Sequence, residues 1–139
     1  MELRSLDGQS YISLTEWQTD DYGVKATMAV QDCGFAGTYD EVWFFRDAFV
    51  TFVQALAQFT VCHEGEARLE SMSPGEAVLS IRQLDMARHV LAEAQVARGH
   101  YLRDHYFYDR VCVTFELDPS QLPDIMRRLE AVIAEAKPS

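Results

Sequence analysis

Period-two alternation recurs along most of this chain and is broken by only two stretches of helical period, which restricts the fold to antiparallel strands carrying a pair of helices. The segments YISLTEW, VKATMAVQD, FAGTYDEVW, ARLESM, AVLSIRQLD and RVCVTFELD each set apolar residues at alternate positions, so one face of each strand is buried and the other wetted. Turn residues lie between them, with SPGE joining ARLESM to AVLSIRQLD. ELRSL, ahead of Asp7-Gly8, allows one further edge strand. DMARHVLAEAQVARG reads two ways. Its Ala and Glu content favours helix, whereas Val90, Ala92, Ala94 and Val96 alternate as a strand requires. The alternation assigns it to a strand, forming a hairpin with AVLSIRQLD through DMAR and crossing to RVCVTFELD through the loop GHYLRDHYFYD.

The helical stretches are FFRDAFVTFVQALAQF and the C-terminal segment. The first places Phe45, Phe49, Phe52, Val53, Leu56 and Phe59 on one stripe; the second places Leu122, Ile125, Met126, Leu129, Val132, Ile133 and Ala136 on one. Pro123 fits only in a first helical turn, which favours Ser120 over Asp118 as the N-cap. The expected fold is α+β, a single curved antiparallel sheet of six or seven strands with two helices packed on one face, in the order β-β-β-α-β-β-β-β-α. Two helices cannot cover both faces of such a sheet, so one face is expected to stay open.

A length of 139 residues suits a single domain spanning residues 1–139, large enough to build a core without metal or disulfide support. Twenty-two acids against twelve bases give a net charge of −10, and ten of the bases are Arg. A surface so acidic repels phosphate backbones, which argues against nucleic acid as a partner. Residues 1–40 carry seven acids against Arg4 and Lys25, net −5. Cys33, Cys62 and Cys112 are odd in number and far apart, as expected of reduced thiols in the cytoplasm. No segment offers the ~20 apolar residues of a membrane span, and MELRSLDGQSYI lacks the basic and apolar regions of a signal peptide.

Strand parity then names the open face. In RVCVTFELD, Val111, Val113, Phe115 and Leu117 belong to the core, leaving Arg110, Cys112, Thr114 and Glu116 outside with Tyr106 and Tyr108 on the same parity. Phe107 shares the core parity. In YISLTEW, Ile12 and Leu14 point inward and Tyr11, Ser13, Thr15 and Trp17 outward; Lys25, Thr27 and Gln31 do the same in the next strand.

Few residues suggest catalysis. Cys62-His63-Glu64 with His100 and His105 is the one grouping resembling metal ligands, but its spacing is not that of a zinc site, so no metal or other cofactor is expected. Asp85 and His89 flank DMAR, where a carboxylate could orient an imidazole. With no nucleophile elbow and no phosphate loop beside them, they read as a pair closing a turn. Exposed aromatics on a sheet also serve RNA binding, yet Asp104, Asp109 and Glu116 would surround these rings with negative charge. Tyr, Trp and Arg among acids fit a protein partner better. Tyr106, Phe107 and Tyr108 could equally cap one end of the core.

The run FFRDAFVTFVQALAQF, then GEARLESMSPGEAVLSIRQLD with His89 four residues on, then VCVTFELDPSQLPDIMRRL, resembles the WapI-type immunity proteins of bacterial polymorphic toxins, in order and spacing from about residue 10 onward. That family carries Gly before the histidine of a D-x-x-G-H segment, where this chain has Arg88. The resemblance implies no enzyme but a stoichiometric binder that neutralises a toxin domain. The partner-binding candidates are Tyr106, Tyr108, Arg110, Glu116, Trp17, Tyr11, Asp20 and Asp21. The expected partner is a basic toxin domain, which an acidic protein captures quickly. The alternative is a small-molecule or enzymatic pocket between the sheet and the Phe-rich helix.

Overall fold

The computed structural model describes residues 1–62 and 64–135. The chain runs twice through the same order, four antiparallel strands followed by a helix. Strands β1 (Glu2–Arg4), β2 (Tyr11–Thr19), β3 (Gly23–Asp32) and β4 (Phe35–Phe45) precede α1 (Arg46–Cys62). Strands β5 (Glu66–Glu70), β6 (Ala77–Gln83), β7 (Val90–Leu102) and β8 (His105–Leu117) precede a 3-10 turn at Pro119–Gln121 and α2 (Leu122–Glu135). The class is α+β as expected, but the strands form two four-stranded sheets, β1-β2-β3-β4 and β5-β6-β7-β8, not one of six or seven. Alternation fixes which side of a strand is buried and says nothing about where a sheet ends. Both sheets turn their apolar faces into one core, where Ile12, Met28, Phe44, Leu79, Ile81 and Leu117 meet both helices.

The two sheets are tied at few points. Ser5 bridges Leu117, the Leu6 N–H donates to the Glu116 carbonyl (3.3 Å), and the Met72 N–H donates to the Trp43 carbonyl (2.7 Å). They also come close at Gly37, where a Cβ would lie 2.9 Å from Val96 and 3.0 Å from Val111. A side chain at Gly37 would force the sheets apart.

Several local expectations are corrected. Phe45 is not on the α1 stripe; it ends β4 and is exposed, while Phe44 is buried and α1 buries Phe49, Phe52, Val53, Leu56 and Phe59. The helix begins at Arg46 because the strand ladder pairs Phe45 with Gly23. Asp118, not Ser120, supplies the cap: its carboxylate accepts from the Ser120 N–H at 3.0 Å and closes the 3-10 turn leading into α2. Pro123 then occupies the first turn of α2, where its missing N–H costs nothing. Leu122, Ile125, Leu129 and Val132 face the core as the spacing requires, and Ala136 lies outside the described residues.

The segment 90–102 is a strand. GHYLRDHYFYD is not a crossing loop: β7 and β8 pair without interruption from Val90↔Leu117 to Leu102↔His105, around the two residues Arg103 and Asp104. Strand β6 accompanies β7 only as far as Val96. Beyond that point, residues 97–110 form a two-stranded arm. This arm positions the candidate site.

Candidate partner-binding surface

Because opposed residues in an antiparallel pair share a face, the ladder sorts the arm into two sides. Ala97, Gly99 and Tyr101 lie opposite Arg110, Tyr108 and Tyr106 on one side; Arg98, His100 and Leu102 lie opposite Asp109, Phe107 and His105 on the other. The first side carries a ladder of rings. Tyr101 and Tyr106 stand 4.8 Å apart, Tyr106 and Tyr108 meet edge to face at 5.1 Å, and the Arg110 guanidinium sits 5.3 Å from the centre of the Tyr108 ring. Gly99 makes this stack possible, since the Tyr106 hydroxyl lies in the space a Cβ there would claim. Desolvation, first, and then the neighbouring Tyr108 and Tyr101 phenols raise the Tyr106 hydroxyl above its usual pKa.

The second side holds a salt bridge, Arg98 to Asp109 at 3.1 Å, with His100 Nδ1 3.5 Å from the same carboxylate. His100 and His105 flank the Phe107 ring at 6.5 and 6.4 Å. Phe107 has the parity of Val111, Val113, Phe115 and Leu117, but the arm has left the core behind by that point. The ring is 48% exposed, close to the 50% of Tyr106 and 54% of Tyr108. It is not a core residue.

Of the other candidates, Glu116 lies further along β8, its carboxylate 4.0 Å from His89 Nε2. Tyr11, Trp17, Asp20 and Asp21 belong to the other sheet or its turn. Trp17 does not point outward. Glu16 takes a positive φ of 55°, and the β2–β3 register slips by one residue between Thr15 and Gln18. That bulge reverses the parity and lays Trp17 edge-on against Phe49 at 5.7 Å. Asp20 serves its turn, accepting from the Tyr22 and Gly23 N–H groups at 2.8 Å each, while Asp21 is exposed. The structure therefore brings Tyr106, Tyr108 and Arg110 together and leaves the remaining candidates outside that ladder. Tyr101 and Gly99 were missed, although the short turn at Arg103-Asp104 would have paired them with Tyr106 and Tyr108.

Asp85 and His89 meet as expected of a turn-closing pair, with His89 Nδ1 2.7 Å from the Asp85 carboxylate. Asp85 also accepts from the Ala87 N–H at 2.9 Å. Among the described residues no group of His, Cys, Asp and Glu is placed to hold a metal; His63 lies outside them. A polar cavity of about 290 Å³ opens on the outer face of the second sheet, lined by Glu66, Arg68, Ser80, Arg82, Glu93 and Cys112 among others. Its groups largely satisfy one another: Arg82 with Glu93, Ser80 with Glu66 at 2.6 Å, Cys112 with Gln95 at 3.3 Å. No helix among the described residues is long and apolar enough to cross a membrane.

No family model matches the chain, and neither a curated protein nor a solved structure shows significant similarity to it.

Proposed function

We propose that this chain is a non-enzymatic binding domain acting in the cytoplasm, and that it holds a protein partner against the tyrosine ladder of the β7–β8 arm. One observation carries the reading: three exposed tyrosines and an arginine stand in contact along a two-stranded projection that, apart from Ala97 at its base, buries no residue in the core. Aromatic rings of this kind bring large contact area at low entropic cost, and together with Arg they dominate interface energetics. The fourteen-residue arm carries three arginines against two aspartates, so the chain's acidity lies elsewhere. The arm supplies contacts, and the acidic body, net −5 over residues 1–40, steers a basic partner toward it. A bacterial toxin domain of basic charge fits those requirements, which makes immunity by stoichiometric capture the function we favour.

The alternative pocket between a sheet and α1 has no observation in its favour, since Phe49, Phe52, Leu56 and Phe59 are packed to near-complete burial. The immunity reading is tested by co-expressing the chain with the toxin domain encoded beside its gene. Growth should be restored, calorimetry should give one-to-one binding, and Tyr106→Ala with Tyr108→Ala should weaken it. Failure to bind or protect against that domain would remove the proposal.

A further inference from the structure

The arm also presents an unused edge. Strand β8 is the last strand of its sheet, and β7 pairs with its whole inner side. Near its C-terminal end the outer side is engaged, because the Glu116 carbonyl accepts from Leu6 and Leu117 bridges Ser5. Since Glu116 directs its carbonyl outward and the β7–β8 ladder has no register shift, every even residue back to Tyr106 directs its N–H and C=O outward too. Among the described residues no backbone group pairs with that edge from His105 to Thr114. It contains no proline and no bulge, the usual protections of a free edge.

We propose that this edge pairs antiparallel with β8 of a second copy of the chain, about a twofold axis through Phe107. The sequence around the axis, Asp104-His105-Tyr106-Phe107-Tyr108-Asp109-Arg110, is complementary to itself in that register. Tyr106 faces Tyr108 of the second copy and exchanges both backbone hydrogen bonds with it. His105 faces Asp109 of the copy, and Asp104 faces Arg110 of the copy. Shifting the axis to Tyr108 sets Asp104 against Cys112 and Asp109 against Phe107, losing both the Asp104–Arg110 ion pair and the His105–Asp109 contact. An axis at Asp109 opposes that carboxylate to itself. Only even registers keep each face continuous across the joint, and an axis at Tyr106 keeps just Arg103 with Asp109, so the Phe107 axis, which pairs Asp104 with Arg110 and His105 with Asp109, is the most complementary. The arm carries a formal charge of +1 with neutral histidines in a chain of −10, so the two copies meet where the chain repels itself least. Dimerisation covers the edge and leaves the tyrosine side of the sheet open, so this inference does not depend on the immunity reading.

The contact is small, which predicts dissociation on the order of 10–100 µM. Sedimentation velocity over that range should show a monomer–dimer equilibrium. Arg110→Asp, which opposes the Asp104 carboxylate of the copy, should weaken it at least ~10-fold, and the charge swap Asp104→Arg with Arg110→Asp should restore it. Because Asp104 lies in the turn, a crosslink provides the independent measurement. With Cys33, Cys62 and Cys112 replaced by Ser, Phe107→Cys should oxidise to a linked dimer because its own copy lies directly opposite. His105→Cys should not, being about 13 Å from its counterpart. A chain that stays monomeric throughout, or that crosslinks equally at both positions, overturns the proposal.

Discussion

Tyr106 lies across Gly99, its hydroxyl filling the space of the missing side chain. The glycine is not there for its backbone, since its φ is not in the left-handed region. It is there for room. Gly99→Ala should therefore leave the strand pairing intact and turn Tyr106 out of its stack, costing less than ~1 kcal/mol because an exposed ring moves and no core is disturbed. Near-UV circular dichroism should lose the signal of the coupled tyrosines while the thermal midpoint moves by a few degrees at most. Partner affinity should fall with the signal.

Exposure sets a different expectation for Phe107 from the one its parity gave. Tyr106→Ala, Tyr108→Ala and Phe107→Ala should each change unfolding stability by less than ~1 kcal/mol, as surface substitutions do. The two tyrosine variants should weaken partner binding by about 1–4 kcal/mol each, the range of interface hot spots. Chemical denaturation of the three variants, followed by titration with the toxin domain, separates these effects. Unfolding caused by either tyrosine variant would show that the arm caps the core after all.

The burial of Trp17 against Phe49 predicts a loss of stability where strand parity had predicted a surface residue. Trp17→Ala should cost about 2–4 kcal/mol, less than a fully buried tryptophan because the ring is only partly covered. Phe52→Ala and Leu129→Ala, at core positions 1% and 0% exposed, should cost about 2–5 kcal/mol each. Denaturation midpoints at constant slope are the check.

What was legible in the sequence is what short-range periodicity encodes. The inward faces at Ile12 and Leu14 and at Val113, Phe115 and Leu117 follow from alternation, and the α2 stripe from helical spacing. The partition into two sheets was hidden, because it depends on which strand β4 and β5 decline to pair with. The reversal at Trp17 was hidden by a single bulged residue, Glu16, with nothing in its side chain to announce a positive φ. The arm was misread because apolar and aromatic residues continue past the point where β6 stops, so parity persists after burial has ended. The tyrosine cluster itself was legible as a stretch; its geometry needed the Arg103-Asp104 turn.

The Asp85–His89 pair predicts a specific pH response. The hydrogen bond to Asp85, then its charge and that of Glu116, raise the His89 imidazole above its ordinary pKa; the bond to His89 in turn lowers that of Asp85. For His89 the folded value exceeds the unfolded one, so its contribution is complete below about pH 6.5 and disappears as pH rises through the raised folded value. For Asp85 the contribution is present above about pH 3.9 and disappears as pH falls through the lowered folded value. The turn should thus be firmest between those limits. His89 should contribute a decline in the thermal midpoint on going from pH 6 to pH 8, which Asp85→Asn should flatten and which His89→Gln should remove from the profile. The His89 ring proton, followed by NMR, should titrate above a reference imidazole in the wild type and move back toward it in Asp85→Asn. A His89 that titrates at or below the reference would mean that the 2.7 Å contact does not persist in solution.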